Sequence, residues 1–186
     1  MYGPPIVPNA NCTLGTNPGR TYRFFNGKAV VPFGFGLSYT TWSYAVASAP
    51  AAPVDTAELQ ELLDATKEST GAHFPKLEDV PAAGQYVLNV TNTGTVDADD
   101  VVLGFISPPG AGTNGLPLQS LFGFERVFVR AGETVQVYLY PALTELATTG
   151  LNGEKQPQLG DHTVKFGVVE GAAHGMGYAE STLTAV

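Results

Sequence analysis

Carboxylates, imidazoles, one thiol and clustered aromatic rings are the groups here that could do chemistry, and their spacing decides what each could do. Asp97, Asp99 and Asp100 form a tight acidic group. Hydrolysis of a sugar linkage by a paired acid and nucleophile needs two carboxyl groups on one site about 5 Å apart. A run of Asp between two strand candidates reads instead as a solvated turn whose side chains cap the backbone. The group also lacks the D-x-[DN]-x-[DN]-G pattern of a calcium loop. His73, His162 and His174 have neither H-x-x-x-H spacing nor a nearby Cys, so they make no zinc pattern. Cys12 is the single thiol and has no partner for an internal disulfide and no neighbouring His to activate it. No G-x-S-x-G elbow is present. Tyr39, Trp42 and Tyr44 are rings of the kind that stack on sugars, though the better reading is that alternate members of the set fill the sandwich core. From the residues alone, then, no catalytic, cofactor or metal site is expected. Two N-x-[ST] sequons, Asn11-Cys12-Thr13 and Asn89-Val90-Thr91, mark Asn11 and Asn89 as candidate N-glycan acceptors.

The elements that must position these groups follow from composition and period. The chain has 186 residues, 44% hydrophobic and 14% charged, with Gly 22 and Pro 14. That Gly and Pro content suits a turn-rich β protein better than a helical one. Lys+Arg 9 against Asp+Glu 17 gives −8, with no basic patch for phosphate, which excludes nucleic acid as a partner. No apolar stretch approaches the ~20 residues that cross a bilayer, so a membrane partner is excluded too. Met1 is followed by neither a basic nor an apolar leader segment. An acidic, Lys-poor chain with sequons and no leader is expected to be the C-terminal piece of a longer secreted protein.

Residues 1–41 show no period and are rich in Pro, Gly and aromatics. Phe24, Phe25, Val30, Val31, Phe33 and Phe35 give an apolar surface that needs a partner to cover it. Residues 45–54 read as a small-residue linker. A helix is expected from about Thr56 to Ser69, capped by Asp55 with Glu58 three residues on, and carrying Leu59, Leu62, Leu63 and Thr66 as one stripe. Residues 55–79 hold seven acidic and two basic side chains, the signature of a solvated face. From residue 84 the period becomes two. Tyr86, Leu88 and Val90 share a core-facing side, and Asn89 points outward, where a glycan is tolerated. Asn92-Thr93-Gly94 is a turn signal. DVVLGFI, LFGFERVFV, ETVQVYLY, DHTVKFGVV and YAESTLTA follow as strands, and WSYAVAS near residue 42 brings the count to seven. Seven short antiparallel strands without the Cys…Trp…Cys pattern predict a mainly β, fibronectin type III-like (immunoglobulin-like) sandwich. An irregular N-terminal segment and one inserted helix at about 55–70 complete it.

Longer motifs add a resemblance. GRTYRFF (Gly19 to Phe25) and VPFGFGLSYTTW (Val31 to Trp42) resemble the end of the catalytic region of glycoside hydrolase family 3 enzymes. VTNTG (Val90 to Gly94), LFGFERVFVRAGETVQV (Leu121 to Val137) and LGDHTVKFGV (Leu159 to Val168) resemble the fibronectin type III-like domain that ends those proteins. The resemblance implies a parent β-xylosidase or β-glucosidase that releases sugars from plant cell-wall oligosaccharides. The family carries its nucleophile in an N-terminal barrel, commonly in an S-D-W segment, and this chain has none. Ala72-His73-Phe74 is only a distant echo of the family's sugar-binding KH[FY] segment. No catalytic residue is therefore carried over, and no cofactor is expected. Residues 1–41 would be the tail of the catalytic region and 42–186 the sandwich. Arg20, Tyr22, Arg23, Phe33 and Phe35 would contact catalytic domains supplied by the rest of the enzyme. The competing expectation is a free-standing sandwich that binds polysaccharide or associates with itself.

Overall fold

Each of the seven segments with period two forms a strand in the structure, a computed structural model that describes residues 19–68, 80–150 and 153–186. In chain order these are β1 (Trp42–Ser48), β2 (Tyr86–Asn92), β3 (Ala98–Ser107), β4 (Ser120–Val129) and β5 (Thr134–Leu139), with β8 (Gly160–Gly167) and β9 (Tyr178–Ala185) closing the series. Between them lies a small ribbon, β6 (Ala147–Thr149) and β7 (Lys155–Pro157). These strands are three residues each, too short to show alternation, and sequence reasoning did not find them. One sheet has the order β1-β2-β5 and the other β4-β3-β8-β9. All their pairings are antiparallel, and the two sheets pack face to face as a β-sandwich.

The core is built by alternate residues. Tyr86, Leu88 and Val90 on β2 are fully buried and face Val102 and Ile106 of β3, Val164 and Phe166 of β8 and Leu183 of β9. Phe166 lies 5.3 Å from the Tyr86 ring in a tilted pair and 6.4 Å from Phe122 edge-on. Trp42 and Tyr44, alternate members of the sequence cluster, are buried in the same core, whereas Tyr39 is exposed.

The helix expected from Thr56 to Ser69 is α2, Ala57–Glu68. Asp55 accepts from the Ala57 N–H at 2.9 Å, while Thr56 supplies the first helical carbonyl, to Gln60. The cap is thus shared by two residues, and the start shifts by one. Nor is the helix a detached insertion. Leu59 and Leu63 enter the sandwich core with Leu62 packed beside them, because a leucine stripe on a short helix is stable only against other apolar surface. Its entrance is sewn to the end of β9: Val54 N–H donates to Thr184 O, Val186 N–H donates to Val54 O, and Thr56 donates twice to Val186 O.

The acidic group is a correction. Asp99 and Asp100 lie within β3, not in a turn, and only Asp97 precedes the strand. Asp97 accepts the Ala131 N–H at 2.8 Å, Asp99 pairs with Arg126 at 3.0 Å, and Asp100 accepts the Tyr44 hydroxyl at 2.5 Å. Neighbours on a strand point to opposite faces, so these carboxylates cannot converge on one ligand.

The Asn92 side chain is the main polar tie of the fold. It is fully buried and makes four hydrogen bonds. Its Oδ1 accepts from Thr40 Oγ1 (2.6 Å) and the Gly94 N–H (3.2 Å), and its Nδ2 donates to Val96 O (2.8 Å) and Val129 O (3.0 Å). It joins the start of β1, its own turn and the end of β4. Gly94 is required there because a Cβ would collide with Thr40 Oγ1.

Candidate partner-docking surface

Residues 19–41 contain one helical turn, α1 (Thr21–Phe24), and are otherwise irregular. What orders them is side chains laid on the outer side of β3. Alternation continues along β3, and the register shift at Gly104/Phe105 is taken up by an extra residue, Phe122, on β4. Phe105 and Ile106 are both buried, Ile106 in the sandwich core and Phe105, on the outward row with Leu103, beneath the N-terminal segment. The Tyr22 and Phe33 rings stack at 4.3 Å and meet Phe105 edge-on at 6.0 and 6.1 Å. Tyr22 also accepts the Leu121 N–H through its hydroxyl (3.3 Å). Gly34, between the two predicted ring contacts, has φ +87° and lies so close to the sheet that a Cβ would sit 2.5 Å from Leu103 Cδ1. Glycine is the residue for both demands.

The five residues expected to contact a partner are thus distributed unevenly. Tyr22 and Phe33 come together over Phe105. Phe35 turns away to meet the His174 ring edge-on at 5.6 Å. Arg23 uses its carbonyl to accept the Leu118 N–H (2.6 Å) and lays its guanidinium over Phe24 at 5.6 Å. Arg20 is exposed. Sequence reasoning missed Phe105 as the floor: it stands on the outward row of β3 with Leu103, and nothing within the strand shows that residues 19–41 cover it.

Between this segment and the sandwich runs a cleft of about 940 Å³, lined by Tyr22, Phe33, Phe105, Lys165, Glu170 and Tyr178 among others. Glu170 is the one carboxylate among its lining residues, so the cleft holds no carboxylate pair for sugar hydrolysis. In the same segment the side chains of Val30, Val31, Leu37 and Tyr39 stand in solvent, with Val30 and Leu37 at 101% and 94% exposure. Phe33 keeps half of its surface exposed.

The remaining candidates have structural surroundings. His162 is buried, with Nδ1 3.3 Å from Gly160 O and Nε2 unpartnered. Burial holds its pKa below the usual imidazole value, against the pull of the Gly160 carbonyl and Asp161. Burial, reinforced by the Asp100 charge and hydrogen bond, raises the Tyr44 phenol far above its ordinary range. Glu145 is pushed up by burial, with Arg23 and Lys155 opposing. Among the described residues no three His, Cys, Asp or Glu side chains gather as a metal site. Asn11, Cys12 and His73 lie outside the described residues.

Known proteins share this outline. No protein-family model matches the chain. It is 34% identical over 171 residues to β-D-xylosidase 1 of Arabidopsis thaliana, a match covering 88% of the chain and 22% of that protein. It is 37% identical over 157 residues to a probable exo-1,4-β-xylosidase of Aspergillus clavatus, covering 84% of the chain and 19% of that protein. A solved glycoside hydrolase family 3 exo-β-xylosidase, in complex with a xylobiose aziridine probe, superimposes with a TM-score of 0.69 at 20% identity, over 91% of the chain and 20% of its own. The chain corresponds to a C-terminal region of family 3 glycoside hydrolases. It spans about a fifth of the length of the curated family 3 relatives it matches.

Proposed function

We propose that this chain is the non-catalytic, fibronectin type III-like C-terminal module of a secreted family 3 β-xylosidase or β-glucosidase acting on plant cell-wall oligosaccharides, and that it braces the catalytic domains. In this reading residues 1–41 are the tail of the catalytic region and 42–186 the module. One observation carries it: an apolar segment is anchored to the sheet by Tyr22 and Phe33 over Phe105 while Val30, Val31, Leu37 and Tyr39 stand uncovered. Contiguous apolar surface of that kind marks an interface in a soluble protein. The names of the relatives supply the reaction class, and their length leaves room for the barrel that would carry the carboxylates.

Native mass of the chain as isolated from its source, with assay on an aryl β-xyloside, tests the proposal. A mass well above 19.5 kDa with hydrolase activity in the same peak is the expected result. A lone monomer or homo-oligomer without activity would overturn it in favour of a free-standing sandwich that binds polysaccharide or itself.

A further inference from the structure

The outer faces of the two sheets differ in chemistry. On the β4-β3-β8-β9 sheet Asp99 pairs with Arg126 and Lys165 lies opposite Glu180. On the β1-β2-β5 sheet the corresponding positions are Ser43, Ala45, Asn89, Thr91, Gln136 and Tyr138, with no charged side chain in those rows. In a chain of net charge −8 this is a neutral face of hydroxyls and amides.

Asn89, the first residue of a sequon, sits at its centre, opposite Ala45 on β1 and Gln136 on β5. Tyr138 donates from its hydroxyl to Gln136 Oε1 (3.1 Å), and Gln136 Nε2 donates to Asn89 Oδ1 (3.5 Å). That relay ties the Tyr138 hydroxyl to Gln136, the residue opposite Asn89, and holds the Asn89 amide by its oxygen. Asn89 Nδ2 has no partner among the described residues. Thr91, the third sequon residue, shares the face, with its Oγ1 2.8 Å from Thr134 Oγ1. Ala45 leaves a shallow shelf on one side of Asn89. On the other, Tyr138 stands diagonally across the strand pair with 47% of its surface exposed. Diagonal positions lie ~7–8 Å apart, within reach of a large side chain or a pyranose ring.

We infer that Asn89 is an N-glycosylation site and that the first sugars of its glycan lie over the Tyr138 ring. The inference rests on the reading of the chain as part of an exported protein. The donor is a lipid diphosphate-linked oligosaccharide. A bond forms between Asn89 Nδ2 and C1 of the first sugar, and the C1–O bond to the diphosphate breaks. The lipid diphosphate leaves, and the Nδ2 proton passes to a base of the transferring enzyme. Transfer takes place on the extended chain. Folding then presents the sugar with an aromatic face for its C–H surface and with amides and hydroxyls for its polar rim. A polysaccharide bound in trans would have to cross Asn89, which makes it the rival occupant.

The test uses the full protein carrying this chain, secreted from a eukaryotic host and also purified from its own organism, with peptide mass mapping and nitration by tetranitromethane. The expected result is a glycan mass on the Asn89 peptide, lost in Asn89→Gln and in Thr91→Ala. Tyr138 nitration should rise several-fold in Asn89→Gln or after enzymatic deglycosylation, while Tyr140, just past the end of β5, changes less. A bare Asn89 in the eukaryotic host overturns the inference, and retention of xylan on that bare face would replace it with a saccharide in trans. A glycan in the host but none in the source organism upholds the site and overturns the reading of export. A glycan that leaves Tyr138 nitration unchanged overturns the packing on Tyr138.

Discussion

Phe166 and Phe33 each meet two other rings, and they differ in what lies on their remaining side. Phe166 touches Tyr86 and Phe122 inside the sandwich and is 0% exposed; Phe33 touches Tyr22 and Phe105 on its outside and is 49% exposed. The hydrophobic term follows the area removed from water. For Phe166 that area is fully committed to folding. For Phe33 about half is still available, worth ~2 kcal/mol to whatever covers it. One aromatic cluster closes the fold, and the other leaves an unfinished surface.

The largest effect should come from the closed cluster. Phe166→Ala should lower the unfolding free energy of the sandwich by about 3–5 kcal/mol, because close-packed strands on both sides cannot collapse into the space. Denaturant titration checks it. A loss below about 1 kcal/mol would mean that the core is looser than its burial implies and would remove one side of the comparison.

Next comes the polar tie between the two regions. Asn92→Ala leaves Val96 O and Val129 O without their buried donor and frees Thr40, at the end of the N-terminal segment. Each buried polar group left unpaired costs ~1–3 kcal/mol, so a total near 3 kcal/mol is expected. Faster amide exchange should appear both in the turn at 92–96 and at the start of β1. Exchange confined to the turn would show that Thr40 is held by other means.

Phe33→Ala should do the reverse of Phe166→Ala. Sandwich stability should fall by ~1 kcal/mol or less, since half of the ring is already solvated. Association with the catalytic domains, measured between separately produced pieces, should weaken by roughly tenfold or more, the equivalent of ~2 kcal/mol. Equal losses in both, or unchanged association, would merge the two clusters into one structural role and count against the docking surface.

Strand existence was legible because alternation is local: Tyr86, Leu88 and Val90 announce their face within one segment. Destinations were not. The Leu59, Leu62 and Leu63 stripe was visible, but that it enters the sandwich core depends on β strands far along the chain. Asp99 and Asp100 looked like turn residues because Asp disfavours strands. Arg126 and Tyr44, reached only through tertiary structure, override that preference. Asn92 was read as a turn signal, whereas its partners Val129 and Thr40 lie 37 and 52 residues away. At the candidate site the apolar character of Phe33 was evident, but the ring it rests on was not. Phe105 holds an outward position of β3 by ordinary alternation, and only the tertiary placement of residues 19–41 buries it.

The smallest effect concerns His162, which sits on β8 four residues before Phe166 and shares its burial but not its apolarity. Its exposure is 1% and its Nε2 has no partner. Burial keeps the folded-state pKa below 6.5, so the folded chain resists a proton that the unfolded chain accepts. His162 therefore leaves stability complete above pH 6.5 and withdraws it as the pH falls from there through the lower folded-state value. Glu145 runs the other way: its raised pKa favours the folded state at low pH and loses that advantage as pH rises through the folded value. The wild-type profile alone mixes the two, so the informative quantity is the difference between wild type and His162→Leu, which removes both the titration and the orphaned nitrogen. Between about pH 6.5 and 5 the wild type should lose more stability than the variant, by at most ~1.4 kcal/mol per pH unit, the slope of one proton. Parallel profiles would mean that the folded sandwich takes up the proton at His162 as easily as the unfolded chain does. The interior of β8 would then be wetter than that of its neighbour Phe166, and the boundary between closed core and open surface would have to be drawn through the strand itself.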